Sequence, residues 1–385
     1  MGWINKDARM PINTVVAVGI VGLGPMGRAT AHYLVKHTDH VVNGYDNSEE
    51  AINGARRIGV NGAVKADATK YEDLRRIAGE NDVIISAVPQ SIADQVVLKT
   101  HELGKPVIDL IFMWSYNEEL AHKLNNGPII IPACGWAPGL TNLLAMAAAS
   151  ELEAVEEVGI HVGGNPVNPR PPLYYELLFS LGSTADEYVR PATIIRDGKV
   201  VSVEPLAEIF DFRTWLVDGD FAEFYTDGLS TLLVSLPKYF RTLRSVYERT
   251  IRWRRHLEVM RVLKDLGLLS DVETAKYVLS KSLRFGVNDF SITVVEAVGE
   301  AGGDRAIVRF EGIDHAKGDF TSMARLTGFT AAIIADLVAK DKIKGEGLTP
   351  IEEAYISNRN LLNEVINGLS REGIKFWRSV TSIVK

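Results

Sequence analysis

The stretch IVGLGPMG, residues 20–27, places three glycines in G-x-G-x-x-G spacing. It follows an apolar run typical of a buried strand, VVAVGI, and leads into MGRATAHYLVKH, which has the pattern of an amphipathic helix. In such a strand–turn–helix unit the glycines allow a tight turn, close approach of the backbone to a pyrophosphate, and close helix–strand packing. The residues predicted to form this nucleotide-binding turn are Gly22, Gly24, Pro25, Met26 and Gly27.

The next predicted strand, HVVNGYD, ends in Asp46. A carboxylate about 20 residues beyond the glycines can accept hydrogen bonds from both hydroxyls of a ribose. It would repel a 2′-phosphate, and the following Asn47 and Ser48 supply no compensating cation. NAD is therefore predicted over NADP, although Arg56 and Arg57 lie further along. The alternative is a structural glycine turn followed by a surface aspartate.

From residue 15 to 112, apolar runs of strand length alternate with amphipathic stretches of helix length. This alternation is typical of a parallel sheet with crossover helices. The further predicted strands are DVIISAVP, PVIDLIF and GPIIIPACG, and the predicted helices include YEDLRRIAGE and LLAMAAASELEAV. The fold class predicted for residues 1–145 is α/β, a Rossmann domain with a doubly wound parallel sheet.

The carboxyl ends of these strands should line the ligand crevice. Val88 and Pro89 end one strand and are predicted to lie beside the nicotinamide half of the cofactor. Asp109 ends the following strand. Two interpretations of Asp109 stay open: a functional carboxylate in the crevice, or a helix-capping or surface carboxylate.

The segment PACGWAPGLTN, residues 132–142, contains the only cysteine of the chain. Cys134 has no adjacent histidine or cation in sequence to lower its pKa, so a small packed residue is predicted rather than a nucleophile. Gly139 is predicted to shape the backbone near the nicotinamide. Thr141 and Asn142 then offer helix caps or donors to the carboxamide.

After about residue 156 the pattern changes to hairpins of a mostly antiparallel sheet, with Gly302-Gly303 as one turn. The predicted hairpin strands are VGIHVGG, LYYELLFSL, PATIIRDGKVVSV and FSITVVEAVGEAGGDRAIVRFEG. Helical material is predicted from about 227 to 284. A mixed α/β domain is thus assigned to residues 146–318, and C-terminal helices over 319–385 are expected to return to the first domain.

The composition excludes several classes of protein. The chain has 385 residues and a net charge of −7, which argues against general affinity for nucleic acid or anionic membranes. One cysteine excludes a disulfide framework, and the histidines lack metal-ligand spacing, so no metal is predicted. No apolar run reaches the roughly 20 residues of a membrane span. The polar N-terminal tail does not resemble a signal peptide, so a cytoplasmic location is expected.

A basic segment from Lys238 to Lys264 is interleaved with aromatic residues. Such a segment can bind nucleic acid. Its spacing favours an amphipathic helix with a solvated or subunit-facing edge, and we expect no nucleic-acid partner.

Several blocks together resemble the saccharopine dehydrogenase-like family, and within it most of all the lysine dehydrogenases. They are ACGWAPGLTN, YYELLFSLGSTADEYVRPATIIRDGK, TDGLSTLL, RHLEVMRVLKDLGL and MARLTGFTAAIIADLV. The resemblance implies NAD-dependent oxidative deamination of the ε-amine of L-lysine in a homodimer. It also implies a substrate and dimerisation domain, and C-terminal helices packed on the Rossmann domain. One departure is visible: the chain has Arg-Trp-Arg-Arg before His256, where lysine dehydrogenases have a Pro-Gly turn.

Amine oxidation by hydride transfer needs a base, a carboxylate clamp and an orienting shell. Arg325, on an apolar helix, is the predicted clamp, or else part of an internal ion pair. Asp186 and Tyr188 are predicted to bind the amine, although Asp186 could instead cap a short helix following Thr184. His256 is the predicted base, since histidine titrates near neutral pH; the alternative is a surface histidine.

Two other functions stay open. A saccharopine-type reductase would join an aldehyde and an amino acid, and the cluster of Arg252, Arg254 and Arg255 would suit its additional carboxylates. A non-catalytic NAD-binding sensor would bind the cofactor without turnover.

Overall fold

The computed structural model describes residues 15–111 and 124–382. The predicted N-terminal tail and the last residue of PVIDLIF lie outside the described residues. Two sheets and the helices packed on them make up the described chain.

The first sheet has six strands in the order β3-β2-β1-β4-β5-β6, all parallel. The order reverses beside β1, which places the ligand crevice at the carboxyl ends of β1 and β4. The predicted strands are confirmed, and one short strand, β3, was not predicted. The strands are β1 (Ala17–Val21), β2 (Val41–Asp46), β3 (Gly62–Lys65), β4 (Val83–Ser86), β5 (Val107–Asp109) and β6 (Ile130–Ile131).

Crossover helices cover this sheet. They are α1 (Pro25–His37), α2 (Glu49–Arg57), α3 (Tyr71–Glu80) and α4 (Gln90–Glu102). The next helix, α5 (Leu140–Ala149), follows β6 and packs mainly against the second sheet. YEDLRRIAGE forms α3 as predicted. The predicted helix LLAMAAASELEAV is shorter than expected: α5 ends at Ala149, and the residues from Ala154 onward belong to a strand.

The second sheet has nine strands, seven of them in the order β10-β11-β12-β7-β13-β14-β15, with β8 and β9 joined at β12. Its pairs are antiparallel except β12 with β7, so the prediction of a mostly antiparallel sheet is confirmed. Gly302-Gly303 is the turn of its longest hairpin. The strands are β7 (Ala154–Pro166), β8 (Ala192–Arg196), β9 (Lys199–Val203), β10 (Ile209–Phe212), β11 (Phe221–Tyr225), β12 (Ser245–Trp253), β13 (Asp289–Ala301), β14 (Asp304–His315) and β15 (Lys375–Ser382).

Two predictions in this region are wrong. LYYELLFSL forms no strand, and the helical prediction over 227–284 misses β12, which takes up the middle of the basic segment. The helices found here are α6 (Leu181–Asp186), α7 (Leu232–Tyr239), α8 (Arg254–Asp265) and α9 (Val272–Ser280).

The C-terminal helices return to the first domain as expected. They are α10 (Ser322–Ala339), α11 (Ile351–Ser357) and α12 (Leu361–Arg371). At the crossing of α10 and α1, a Cβ at Gly328 would lie 2.7 Å from the backbone nitrogen of Thr30, so only glycine permits this approach. Helix α10 is apolar and long enough to cross a membrane, and 72% of it is buried inside the protein.

Candidate active site

The glycine turn between β1 and α1 has the geometry that a dinucleotide requires. Gly22 has a φ of +96°, and a Cβ there would lie 2.5 Å from the carbonyl oxygen of Ala87. A Cβ at Gly27 would lie 1.9 Å from the carbonyl oxygen of Gly22. Gly24, by contrast, faces open space, and no side chain caps α1 there. The free N–H groups of the first helical turn are therefore available to a pyrophosphate.

Asp46 lies beside this turn at the carboxyl end of β2. The backbone N–H of Leu23 donates to Oδ2 at 2.7 Å, and that of Ser48 donates to Oδ1 at 2.8 Å. Both carboxylate oxygens are thus held in place next to the glycines. The turn and Asp46 together fit a dinucleotide with its adenosine ribose against the carboxylate.

The carboxyl ends of β4 and β5 complete the crevice. Val88 is buried and Pro89 is exposed at the start of α4, and the nitrogen of Val88 lies beside Gly22. Asp109 is fully buried, and within the described chain neither of its carboxylate oxygens has a hydrogen-bond partner of ordinary geometry. Burial raises the pKa of Asp109 well above its usual value. It is therefore not the surface or helix-capping carboxylate of the alternative interpretation.

The segment around Cys134 forms a closed turn next to Asp109. The N–H of Gly135 donates to the carbonyl of Pro138 at 3.1 Å, and a Cβ at Gly139, whose φ is +121°, would lie 2.4 Å from the carbonyl oxygen of Gly135. Gly139 therefore shapes the backbone here. Cys134 is fully buried, and burial raises the pKa of its thiol, so the thiolate is disfavoured.

Asn142, in the first turn of α5, connects this crevice turn to the second domain. Its side-chain carbonyl accepts from the N–H of Gly139 at 3.3 Å. Its amide donates to the carbonyl of Leu229 at 3.4 Å and to Oγ1 of Thr231 at 3.3 Å. Because the amide is committed to these two partners and is 1% exposed, Asn142 does not present the donor to a carboxamide that we predicted.

Trp136 makes a second connection between the two domains. Its indole nitrogen donates to Oγ1 of Thr293 on β13 at 2.8 Å. In register, Thr293 lies opposite Val162, and Val162 lies opposite Thr250 of β12. The crevice turn thus packs on the face of the nine-stranded sheet that carries Thr293 and Thr250.

Two of the predicted residues, Tyr188 and His256, lie together near this face. The Tyr188 hydroxyl and Nε2 of His256 are 2.8 Å apart, and Nδ1 of His256 lies 2.6 Å from the carbonyl oxygen of Leu173, to which it donates. The tyrosine hydroxyl is then the donor to Nε2. Burial lowers the pKa of His256 to about 3. With both ring nitrogens occupied, His256 offers no free nitrogen to a substrate, so neither the predicted base nor the surface histidine is observed.

Arg252 adds a buried cation to this pair. Its Nε donates to the Tyr188 hydroxyl at 3.4 Å, and its Nη2 donates to Glu187 at 2.8 Å. Its guanidinium lies 4.8 Å from the ring centre of Tyr175. The cation is therefore compensated within the site.

A second ion-pair group lies beside it. Arg190 donates to Asp186 at 2.9 Å and to Asp227 at 2.5 Å, and Asp227 also accepts from the N–H of Thr193. Asp186 ends α6, whose first turn is capped by Ser180. We had placed this helix after Thr184, but it begins at Leu181 and ends at Asp186. Asp186 is therefore not its N-cap.

Glu248, on β12, was missed by the sequence reasoning. It is 4% exposed, its Oε1 accepts from the Thr226 hydroxyl at a long 3.4 Å, and its Oε2 has no partner in the described chain. Burial, with the charges of Asp227 and Glu187 in addition, raises its pKa to about 8. No local motif marks this residue.

Arg325 lies elsewhere. Its Nε donates to Asp314 at 2.8 Å, and its Nη2 donates to the backbone carbonyl of Glu372 at 2.9 Å. Both side chains of the ion pair are almost fully buried. The geometry corresponds to the internal ion pair holding the C-terminal helix, not to a free clamp for a substrate carboxylate. Among residues 15–111 and 124–382, no group of three His, Cys, Asp or Glu side chains is arranged to hold a metal.

Two family models match the chain. Residues 18–130 match the saccharopine dehydrogenase NADP binding domain, and residues 135–374 match the saccharopine dehydrogenase C-terminal domain. A saccharopine dehydrogenase (NADP+, L-glutamate-forming) from Saccharomyces cerevisiae is 23% identical over 217 residues, which are 54% of this chain. The match spans about half the length of that relative, 48%.

Two solved structures have a similar fold. The apo saccharopine dehydrogenase (L-Glu forming) from Saccharomyces cerevisiae superposes with a TM-score of 0.77 at 16% identity, over 96% of this chain and all of that one. The homospermidine synthase from Legionella pneumophila, in complex with NAD, gives 0.66 at 12% identity, over 94% of this chain and 91% of that one. Since the C-terminal model alone covers more than half of the sequence, the chain belongs to the saccharopine dehydrogenase family.

Proposed function

We propose that this protein catalyses the NAD-dependent oxidative deamination of the ε-amine of L-lysine or a related basic amino acid, releasing ammonia and the semialdehyde. The observation that carries the proposal is the surplus of acids over cations at the substrate side of the crevice. The carboxyl groups there are Asp186, Glu187, Asp227 and Glu248, and the cations are Arg190 and Arg252. A surplus of acids over cations favours a cationic substrate.

The cofactor preference rests on Asp46. A carboxylate fixed by two backbone N–H groups suits the ribose hydroxyls of NAD and repels the 2′-phosphate of NADP. The family model is described as NADP-binding and the yeast relative uses NADP+, whereas the Legionella structure contains NAD. NAD is therefore our proposal for this chain.

When bound, the nicotinamide accepts the hydride from the substrate carbon. Asp109 is the proposed base because it lies at the end of β5 in the crevice. As a carboxylate with a raised pKa, it takes a proton from an ammonium more readily than an ordinary aspartate does. The proton would reside on a carboxylate oxygen that has no other partner in the described chain.

Tyr188 is the proposed orienting group. Its hydroxyl proton points to Nε2 of His256, so its oxygen remains an acceptor, already facing Nε of Arg252. His256 acts through Tyr188 by fixing the direction of that hydroxyl. As the family resemblance implies, we propose that the active form is a homodimer.

The second candidate is a saccharopine-type reductase, the activity in the name of the yeast relative. It would need free cations for the additional carboxylates of its product. Arg252 is paired with Glu187, and Arg254 is paired with Asp211 and Asp220. The pairing of two of the three arginines that suggested this activity favours the deaminating reaction.

A substrate panel tests the proposal. We expect an increase in absorbance at 340 nm with L-lysine and NAD, with ammonia release in equal amount and a weaker response with NADP. Asp46→Ala should weaken NAD binding by about 10–100-fold while the protein stays folded, because charge-assisted hydrogen bonds contribute about 1.5–3 kcal/mol. Turnover only in the reductive direction with glutamate would favour the second candidate. Cofactor binding without any turnover would support the sensor.

A further inference from the structure

We propose that Glu248 binds the ammonium group of the substrate that is not oxidised, so that the enzyme selects compounds with two amines. This inference rests on the proposed function and adds a substrate class to it. Glu248, Thr250 and Arg252 alternate along β12, so all three project from one face of the nine-stranded sheet. This is the face on which the crevice turn packs through Trp136 and Thr293.

The structure makes room for the Glu248 carboxyl group and leaves one of its oxygens without a hydrogen-bond partner in the described chain. A Cβ at position 228 would lie 1.9 Å from Oε1 of Glu248, so the carboxyl fills the space that a side chain there would need. The contact depends on Gly228 being glycine. Oε2 has no partner in the described chain, although the residue is 96% buried. A buried carboxyl group with an open oxygen is costly unless a ligand pairs with it.

The position of Gly228 connects Glu248 to the crevice. The loop that contains Gly228 continues to Leu229 and Thr231, which both accept from the amide of Asn142. Asn142 in turn accepts from Gly139 of the crevice turn. Glu248 is therefore linked to the crevice turn through this loop, on the side of the crevice that the second domain supplies.

The neighbouring charges favour a cation at this position. Asp227 and Glu187 raise the pKa of Glu248, and Arg190 lowers it by less. Asp227 is already paired with Arg190, and Glu187 is paired with Arg252. Glu248 is thus the acid of this group that has an oxygen, Oε2, without a hydrogen-bond partner in the described chain. At neutral pH it holds a proton, and an arriving ammonium would displace that proton.

The decisive comparison uses L-lysine and 6-aminohexanoate, which keeps the reacting amine and the carboxylate and lacks only the α-amino group. With the wild-type enzyme we expect kcat/KM to be about 10–100-fold higher for L-lysine, the range for a charge-assisted hydrogen bond. Glu248→Gln should lose most of that preference, because kcat/KM should fall much more for L-lysine than for 6-aminohexanoate. Glu157→Gln, on the opposite face of the sheet, is the matched control and should retain the preference.

Proton release gives a second readout that a purely structural role would not change. Calorimetry of L-lysine binding to the enzyme with NADH, in buffers of different ionisation enthalpy, should show release of nearly one proton at pH 7. Glu248→Gln should abolish that release. A Glu248→Gln enzyme that keeps both the lysine preference and the proton release would overturn the inference, while the proposed function would stand. A wild-type enzyme inactive on both amines would instead overturn the proposed function.

Discussion

Two adjacent charged residues of β12, Arg249 and Glu248, project from opposite faces of the sheet and differ in their pairing. On one face, Arg249 donates to Glu223 and to the Tyr225 hydroxyl, both at 2.9 Å, and its guanidinium lies 3.6 Å from the ring centre of Phe210. Glu248, on the other face, has one carboxyl oxygen, Oε2, without a hydrogen-bond partner in the described chain. The two residues are adjacent in sequence, so the sequence around them does not explain why one is paired and the other has an open oxygen.

The difference separates charges that hold the sheet together from charges held for a ligand. Buried ions that serve only the fold are paired and hydrogen-bonded, because an unpaired ion is strongly destabilising. His161, whose Nδ1 lies 2.7 Å from Glu223, extends the paired group on the Arg249 face. An unpaired buried acid such as Glu248 lowers the stability of the fold, and such residues are common in binding sites.

The largest expected effect on stability comes from substitution of Arg249. Arg249→Ala removes the cation and leaves Glu223 buried beside aromatic rings, so we expect the free energy of unfolding to fall by about 3–5 kcal/mol. Urea denaturation would measure the loss. Arg244→Ala is the control, since its ion pair with Asp197 is largely exposed and should contribute less than about 1 kcal/mol. Equal effects of the two substitutions would contradict the assignment of Arg249 to a structural role.

Substitution of Glu248, on the other face, should have the opposite effect and increase the free energy of unfolding. In the folded protein Glu248 has a pKa of about 8, against a usual 4.5 when unfolded. Between those values the unfolded chain has lost a proton that the folded chain keeps, so the stability of the wild type falls as pH rises. Glu248→Gln removes this loss. Its stability relative to the wild type should therefore increase by about 2–3 kcal/mol from pH 5 to pH 7.

Urea titrations of both proteins across that pH range would measure the difference. Glu157→Gln, on the opposite face of the sheet, again serves as the control. If the stability of Glu248→Gln relative to the wild type did not change with pH, the Glu248 carboxyl would be ionised in the folded protein. The contrast between Arg249 and Glu248 would then fail.

The sequence contains local signals for the nucleotide turn but not for this strand. Gly22, Gly27 and Asp46 act through the residues next to them in one β–α–β unit, so their spacing was sufficient to predict the turn. In β12 both faces are buried and both carry charges, so apolar and polar residues do not alternate. The dense arginines around it favoured a helix instead. Any strand puts Arg249 and Glu248 on opposite faces, but the pairing of β12 with β7 and β11 determines which residues each side chain meets.

The same reason applies to the other candidate residues. Tyr188 and His256 were predicted separately, one to bind the amine and the other as the base, and the structure brings them to 2.8 Å. Their chemistry was not predictable, because the burial of His256 and its bond to Leu173 depend on chain segments far apart in sequence. Arg325 was predicted to be a substrate ligand because its partner, Asp314, lies on a separate strand and could not be identified from the sequence around Arg325.

A third, smaller effect concerns the Tyr188 hydroxyl, which lies between His256 and Arg252. Tyr188→Phe keeps the ring that stacks on Phe224 and removes the donor to Nε2 of His256. We expect the free energy of unfolding to fall by about 1–3 kcal/mol, because a buried acceptor is left unsatisfied. In turnover assays kcat should fall more than KM rises, since the proposed role is orientation. A variant with full activity would exclude Tyr188 from the site.

The smallest expected effect is at the contact between the crevice turn and the sheet. Thr293→Val is nearly isosteric and removes only the acceptor for the indole nitrogen of Trp136, so the free energy of unfolding should fall by about 1 kcal/mol. Thr250→Val is the matched substitution on the same face, where the hydroxyl lies 2.8 Å from that of Thr226. If the face carrying Glu248 is a substrate wall, Thr293→Val should raise KM for L-lysine in addition. A loss of stability with KM unchanged would limit the Trp136 contact to a structural role and leave Glu248 and the Asn142 loop as the connection between sheet and crevice.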